Sequence, residues 1–81
     1  MPYFVYMLKC NDDTLYTGIA TDVQRRLIEH NASAKGAKYT RVRRPVILVH
    51  TEEFEDRSSA CKREYAIKKL NREEKLRLIN A

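Results

Sequence analysis

Two tyrosines stand in short apolar stretches at the start of this 81-residue sequence, where paired phenol groups could take part in chemistry. Tyr6 and Tyr16 flank Asn11-Asp12-Asp13, which is a turn signal and predicts a β-hairpin. A three-residue turn would place both rings on one sheet face as diagonal neighbours, roughly 7–8 Å apart. A two-residue turn would place them on opposite faces. Only the first register therefore allows a shared site. Alternatively, both tyrosines could simply fill a core.

Three further positions that could belong to a site follow along the chain. Gly18 stands at the end of the second apolar stretch, where it either ends a strand or permits the close approach of another group. Arg26 and His30 are four residues apart and therefore share one face of a helix. Arginine and histidine at this spacing are often solvated, so the pair is open to a structural or a functional interpretation.

Glu64 lies in the apolar stripe of a later helix. Ala60, Glu64 and Ile67 follow the i, i+4, i+7 spacing of one helix face. A carboxylate in such a stripe costs several kcal/mol, in order of magnitude, unless a cation or strong donors meet it. Its partner could be a neighbouring Arg or Lys, or a metal ion.

The positive charge is concentrated in one segment. The net charge is +5, from 16 Lys and Arg against 11 Asp and Glu. The segment Lys35–Arg44, here termed the basic loop, contains no acid, and its cations account for the whole excess. Those cations are Lys35, Lys38, Arg41, Arg43 and Arg44. Such a block indicates a surface for a polyanion, although it could also be a solvated loop without a partner.

Hydrophobic periodicity and capping signals predict the elements that position these residues. Asp22 to Asn31 should form a helix capped by a Thr21–Gln24 capping box, with Val23, Leu27 and Ile28 facing the core. Ala32 to Arg44 should form a loop with room for a helical turn. Strands are predicted at Tyr3–Leu8, Thr14–Gly18 and Val46–His50. A second helix should span Ser58–Leu70, capped by Asp56 or Ser58. A last helix should span Arg72–Ile79, capped by Asn71 and packed on the core through Leu76 and Ile79.

The expected fold is α/β (α+β): a small three-stranded antiparallel sheet flanked by helices, in the order β-β-α-β-α-α. Residues 1–81 should form one domain, near the lower size limit for a self-sufficient core. No apolar run approaches the roughly 18 residues of a membrane span, and no leader precedes the first strand. Cys10 and Cys61 fit no disulfide or zinc pattern, so we expect two buried thiols and a cytoplasmic protein.

Five of these positions together resemble the GIY-YIG endonuclease superfamily. Phe4-Val5-Tyr6 and Tyr16-Thr17-Gly18 look like its two paired motifs, and Arg26, His30 and Glu64 follow in the family order. The resemblance covers essentially the whole chain and is closest to the small stand-alone bacterial members. Phe4 stands where glycine is usual and Thr17 where isoleucine is usual, but neither position supplies a catalytic group in the family.

The resemblance implies a divalent-metal-dependent endonuclease. Glu64 would hold one Mg²⁺ or Mn²⁺, and Arg26 would stabilise the phosphoryl charge. Tyr6 and Tyr16 would orient or deprotonate the attacking water, and His30 would position its neighbours or relay a proton. A tyrosine has an ordinary pKa near 10, so the metal or Arg26 would have to lower it.

The nucleic acid would contact Gly18 and the cations of the basic loop. Tyr39, in the same loop, could stack on a splayed base, or it could equally pack against the fold. Five phosphate contacts would give a log–log salt slope of roughly −4 to −5 on duplex DNA. The substrate is expected to be DNA of branched, damaged or single-stranded form, which places the protein in DNA repair, and a protein partner could supply specificity. The alternatives are a non-catalytic nucleic-acid-binding module with the same fold and an adaptor that docks an acidic protein.

Overall fold

The centre of the structure is a three-stranded antiparallel sheet with the strand order β2-β1-β3. In the computed structural model, which describes residues 1–81, β1 spans Tyr3–Lys9, β2 spans Leu15–Ala20 and β3 spans Ile47–Phe54. β1 is apolar on both faces, and its residues 5–8 are buried. A strand with this pattern must be covered on both sides, which explains its central place.

Four helices surround the sheet: α1 at Val23–Ala32, α2 at Lys38–Arg41, α3 at Arg57–Lys68 and α4 at Arg72–Ile79. The predicted α+β fold and element order are therefore confirmed, and α2 is a four-residue helical turn inside the predicted loop. None of the helices combines the length and the apolar character that crossing a bilayer requires.

The hairpin between β1 and β2 has a three-residue turn, which is one of the two alternatives that the sequence leaves open. The Cys10 N–H donates to the Thr14 carbonyl at 2.8 Å and closes the turn. Tyr6 pairs directly with Gly18, so Tyr16 is its diagonal neighbour on the same face of the sheet. The register that a shared tyrosine site requires is thus the one observed.

The two faces of the sheet carry separate apolar clusters. On the face toward α1, Tyr6, Leu8, Cys10 and Val46 are buried together. On the opposite face, Val5 and Met7 pack with Ala60 and Ile67 of α3, and α4 adds Leu78 and Ile79. α1 and α3 therefore lie on opposite sides of β1, and side chains from both layers approach the sheet around the strand that carries Tyr6.

The predicted start of α1 is wrong by one residue. Asp22, rather than Thr21, is the N-cap, and its side chain accepts the Arg25 N–H at 3.0 Å. The predicted inward orientation of Ile28 is also wrong, because Ile28 is 66% exposed. The inner stripe continues instead from Leu27 to His30, and an i, i+3 step keeps that stripe on one face.

The later elements agree with prediction except at their boundaries. β3 continues to Phe54 instead of ending at His50, because its residues Thr51–Phe54 pair with the first half of β1. The Glu52 carboxylate in this extension accepts from two nitrogens of Arg63, at 2.7 and 3.1 Å. α3 is capped by Asp56, one of the two predicted residues, and ends at Lys68 rather than Leu70.

α4 has the predicted bounds and cap, with a complete capping box between Asn71 and Glu74. Its packing differs from prediction, because Leu78 contacts the core together with Ile79 while Leu76 stays partly exposed. The two cysteines are free, as predicted, although only Cys10 is buried and Cys61 is half-buried.

Candidate active site

A buried chain of hydrogen bonds links β1, α1 and α2. The Tyr6 hydroxyl lies 2.7 Å from His30 Nε2, and His30 Nδ1 lies 2.7 Å from Thr40 Oγ1. The Thr40 hydroxyl is in turn 2.9 Å from the Ala37 carbonyl. The Tyr6, His30 and Thr40 side chains are essentially excluded from solvent. His30 can occupy a core position of α1 because both of its ring nitrogens have partners.

Tyr16 packs against the two rings of this chain. Its centroid is 6.4 Å from that of Tyr6 and 5.1 Å from that of His30, with an edge contact to the imidazole. Tyr39 of α2 stacks on Tyr16 at 6.0 Å. Four aromatic rings from β1, β2, α1 and α2 therefore meet at one place, and Tyr39 packs against the fold.

Arg26 borders the tyrosine–histidine cluster on its α1 side. One guanidinium nitrogen donates to Glu29 at 2.9 Å and to the Lys35 carbonyl at 2.7 Å. The guanidinium also lies beside the Tyr6 hydroxyl and favours its ionised form. An open depression of about 320 Å³ lies next to Arg26, lined by α1 and the end of β2, but neither tyrosine forms part of its wall.

Burial sets the proton affinities of the two central groups. Burial first, and the neighbouring Tyr16 second, raise the pKa of Tyr6 to about 12, against the lowering effect of Arg26. Burial together with Arg26 lowers the pKa of His30 to about 4. At neutral pH the phenol is therefore protonated and the imidazole is neutral. The expectation was that the metal or Arg26 would lower the pKa of Tyr6. Arg26 does act in that direction, but desolvation outweighs it, so the pKa lies above its ordinary value.

Glu64 lies on α3, in the other helical layer. It lies on α3 between the fully buried Ala60 and Ile67, as the stripe predicts, and its side chain is 22% exposed. Its charge raises the pKa of Tyr6, although less than burial does, so the carboxylate is within electrostatic reach of the phenol. Lys68, one helical turn later, pairs with it at 3.2 Å.

The side chains at this site could hold only a metal ion that keeps most of its water ligands. No cluster of three or more His, Cys, Asp or Glu side chains capable of holding a metal exists in the structure. A lone carboxylate with water in the remaining positions fits Mg²⁺ or Mn²⁺ and does not fit structural zinc. Glu64 is the candidate carboxylate, since the other partly buried acids, Glu29 and Glu52, are held by arginines, whereas Glu64 has only a lysine partner.

Gly18 belongs to this site for a steric reason. A Cβ at Gly18 would lie 2.5 Å from the Tyr6 hydroxyl oxygen and 2.7 Å from the ring carbon that bears it. Gly18 is itself buried, so its place is beneath the phenol rather than on a surface that nucleic acid could contact. The absence of a side chain lets the Tyr6 hydroxyl cross β2 toward His30.

Two of the five cations in the basic loop have structural partners. Arg44 donates to the carbonyls of Glu29, His30 and Ser33 at the end of α1, where a cation also complements the helix dipole. Arg43 bonds Asp12 at 3.0 Å, and its guanidinium lies 3.9 Å from the centroid of the Tyr39 ring. These two arginines therefore attach the basic loop to α1 and to the hairpin.

The other three cations are exposed and have no acidic partner. We term them the free cations: Lys35, Lys38 and Arg41. They are the residues of the basic loop that remain available for phosphate. Three of the five cations counted from the sequence therefore have no partner within the protein.

Thr40 is the one member of the buried chain that sequence reasoning missed. It lies ten residues after His30, within a stretch that carries no periodic signal, and a threonine between basic residues gives no local sign of burial. Its contact with His30 depends on how α2 folds back onto α1, a tertiary event.

Comparison with known proteins agrees with this fold. The family model of the GIY-YIG catalytic domain matches residues 2–77. The chain belongs to the GIY-YIG catalytic domain family.

Within that family, the chain is similar to small proteins designated UPF0213. It is 60% identical to one from Desulfotalea psychrophila over 98% of this chain and 72% of the relative. It is 51% identical to one from Staphylococcus saprophyticus over 96% of this chain and 94% of the relative. The solution NMR structure of a UPF0213 protein from Bacillus halodurans superposes with a TM-score of 0.63, at 48% identity, over 99% of this chain and 84% of that one.

Proposed function

We propose that this protein is a nuclease that hydrolyses phosphodiester bonds in nucleic acid. The observation that carries the proposal is the 2.7 Å contact between the buried Tyr6 hydroxyl and His30, with Arg26 beside the phenol and Tyr16 against both rings. A purely structural core gains little from this arrangement, because three polar groups have to be desolvated to build it.

Each residue has a role that its environment allows. Arg26, which remains cationic at any physiological pH, stabilises the negative charge that develops on the phosphoryl oxygens. The phenol of Tyr6 is protonated, so it cannot act as a resting base. Its oxygen can take a proton from the attacking water only as its own proton passes to Nε2 of His30. Tyr16 fixes the orientation of both rings by packing.

Glu64 would hold one Mg²⁺ or Mn²⁺, which supplies Lewis-acid stabilisation of phosphoryl charge. Lys68 has to release one carboxylate oxygen for this to occur. The exposed Lys68 side chain makes that exchange feasible, since a surface ion pair contributes roughly 0–1 kcal/mol.

The free cations of the basic loop bind the phosphate backbone on the α2 side of the cluster. Three contacts suit a short segment of DNA, single-stranded or of irregular structure, better than a long duplex track. Specificity beyond this small surface would come from a protein partner, and the free cysteines suit a reducing cytoplasm.

The second candidate is a non-catalytic nucleic-acid-binding module. The 3.2 Å ion pair between Glu64 and Lys68 favours it, because that pair gives the carboxylate a structural partner that needs no metal. In this alternative the free cations bind nucleic acid and the aromatic cluster serves only as a core.

Cleavage assays with a charge-neutral variant separate the two. Labelled single-stranded, duplex and branched DNA would be incubated with Mg²⁺ or Mn²⁺ and either the wild type, Glu64→Gln or the matched control Glu53→Gln, which alters an exposed acid on β3. We expect cleavage to fall about 100-fold or more in Glu64→Gln, with DNA binding retained, and to persist in the control. Binding without cleavage by the wild type under either metal would support the module.

A further inference from the structure

α2 faces the protein interior and the solvent at the same time. Its Thr40 side chain is fully buried and contacts His30, whereas Lys38 and Arg41 of the same four-residue helix are exposed. Tyr39 contacts the ring of Tyr16. The helix that carries two of the free cations therefore also reaches the polar centre of the cluster.

The hydrogen atoms of this buried chain can be distributed in two ways. With the proton of His30 on Nδ1, the imidazole donates to Thr40, the Thr40 hydroxyl donates to the Ala37 carbonyl, and the Tyr6 hydroxyl donates to Nε2. With the proton on Nε2, the imidazole donates to Tyr6 and Thr40 donates to Nδ1. These are assignments from the hydrogen-bond network.

Hydrogen-bond satisfaction separates the two tautomers. In the Nε2–H form the hydroxyl hydrogen of Tyr6 has no acceptor, since its other neighbour, Arg26, is only a donor. Because Tyr6 is 2% exposed, its hydroxyl hydrogen would be left without an acceptor in the protein interior. The Nδ1–H form gives up only the 3.4 Å contact from the Ala37 N–H, which belongs to a partly exposed residue. The Nδ1–H form is therefore favoured.

We propose that Thr40 is a positioning residue that holds His30 in the Nδ1–H tautomer, so that Nε2 accepts the hydrogen of the Tyr6 hydroxyl. This proposal rests on the proposed nuclease function only for its catalytic consequence. The consequence is that the hydrogen of the Tyr6 hydroxyl points to Nε2, the nitrogen that would have to receive it in the proposed reaction. The tautomer itself is a property of the folded chain.

The imidazole nitrogens report the tautomer directly. Nitrogen-15 NMR of the uniformly labelled wild type at neutral pH should show a protonated Nδ1 and an unprotonated Nε2 for His30, with His50 as an internal comparison. A spectrum with His30 protonated only on Nε2 would overturn the proposal, and this measurement needs no variant.

Valine and serine variants isolate the hydroxyl of Thr40. Thr40→Val keeps the side-chain shape but removes the acceptor, and it should move His30 toward the Nε2–H form. Thr40→Ser should keep the wild-type tautomer. Thr17→Val is the matched control, because Thr17 is also buried but its hydroxyl has no hydrogen-bond partner. An unchanged His30 spectrum in a folded Thr40→Val protein would refute the proposal.

Kinetics test the catalytic consequence separately. We expect kcat for DNA cleavage to fall about 10- to 100-fold in Thr40→Val with KM nearly unchanged, and Thr40→Ser to restore most of it. A parallel rise in KM would indicate a disturbed binding surface and would contradict a positioning role. If the wild type cleaves nothing, the nuclease proposal fails while the tautomer result still decides the role of Thr40.

Discussion

Lowering the pH from 7 to about 4.5 should destabilise this protein through a single buried group, His30. Its folded-state pKa is about 4, because burial and Arg26 both disfavour the imidazolium, whereas its value in an unfolded chain is 6.5. Above pH 6.5 both states hold a neutral ring. As the pH falls below that value the unfolded state binds a proton that the folded state does not, so stability is lost.

The size of the loss follows from the two pKa values. The difference between pKa values of 6.5 and about 4 corresponds to a loss of roughly 3 kcal/mol in the free energy of unfolding at a pH below both values. About 2–3 kcal/mol of this should already be lost at pH 4.5. The carboxylates with lowered pKa values lose their contributions at lower pH, because their ordinary pKa values already lie at or below 4.5. These are Asp12, Glu29, Glu52 and Asp56. The interval from pH 6.5 to 4.5 therefore belongs mainly to His30.

Urea denaturation followed by far-UV circular dichroism at several pH values measures this loss. The wild type and His50→Gln, which alters the half-buried second histidine, should both show it. An NMR titration of the His30 ring gives the folded-state pKa independently. A stability that changes by less than about 1 kcal/mol between pH 7 and 4.5, or a His30 ring that titrates near 6.5, would refute the burial argument.

Three further outcomes follow from contacts in the structure. Gly18→Ala should lower the free energy of unfolding by about 1–3 kcal/mol, because its Cβ would lie 2.5 Å from a Tyr6 hydroxyl that the bond to His30 holds in place; an unchanged urea midpoint would contradict this. Arg44→Gln should cost about 2 kcal/mol in the same assay, since the carbonyls at the end of α1 lose a cationic donor, and a neutral result would mean that water replaces it. Duplex DNA binding by titration at several salt concentrations should give a log–log slope near −3, from the three free cations; a slope of −4 to −5 would show that the two structural arginines also contact phosphate.

Local signals in the sequence were sufficient for most of the fold. The apolar stretch around Tyr6 predicted a central strand, and the three-residue turn at Asn11–Asp13 set the register that puts Tyr6 and Tyr16 on one face. The cap at Asn71 marked the start of the last helix, and Asp56 was one of the two caps proposed for the helix before it. These features depend on backbone hydrogen bonds and side-chain periodicity within a few residues, so the local sequence contains the relevant information.

The properties of the candidate site depended on contacts between distant segments. His30 looked like a solvated helix residue, but it is buried because α2 brings Thr40 onto one ring nitrogen while β1 brings Tyr6 onto the other. The same folding-back of the basic loop engages Arg43 and Arg44 and leaves three free cations out of five.

Desolvation was equally invisible in the sequence. It raises the pKa of Tyr6 although a cation lies beside the phenol, and it lowers that of His30. The sequence by itself determined which chemical groups are present and which strand or helix carries each of them. Only the tertiary structure decided their exposure and partners, because burial depends on what the whole chain packs around a group.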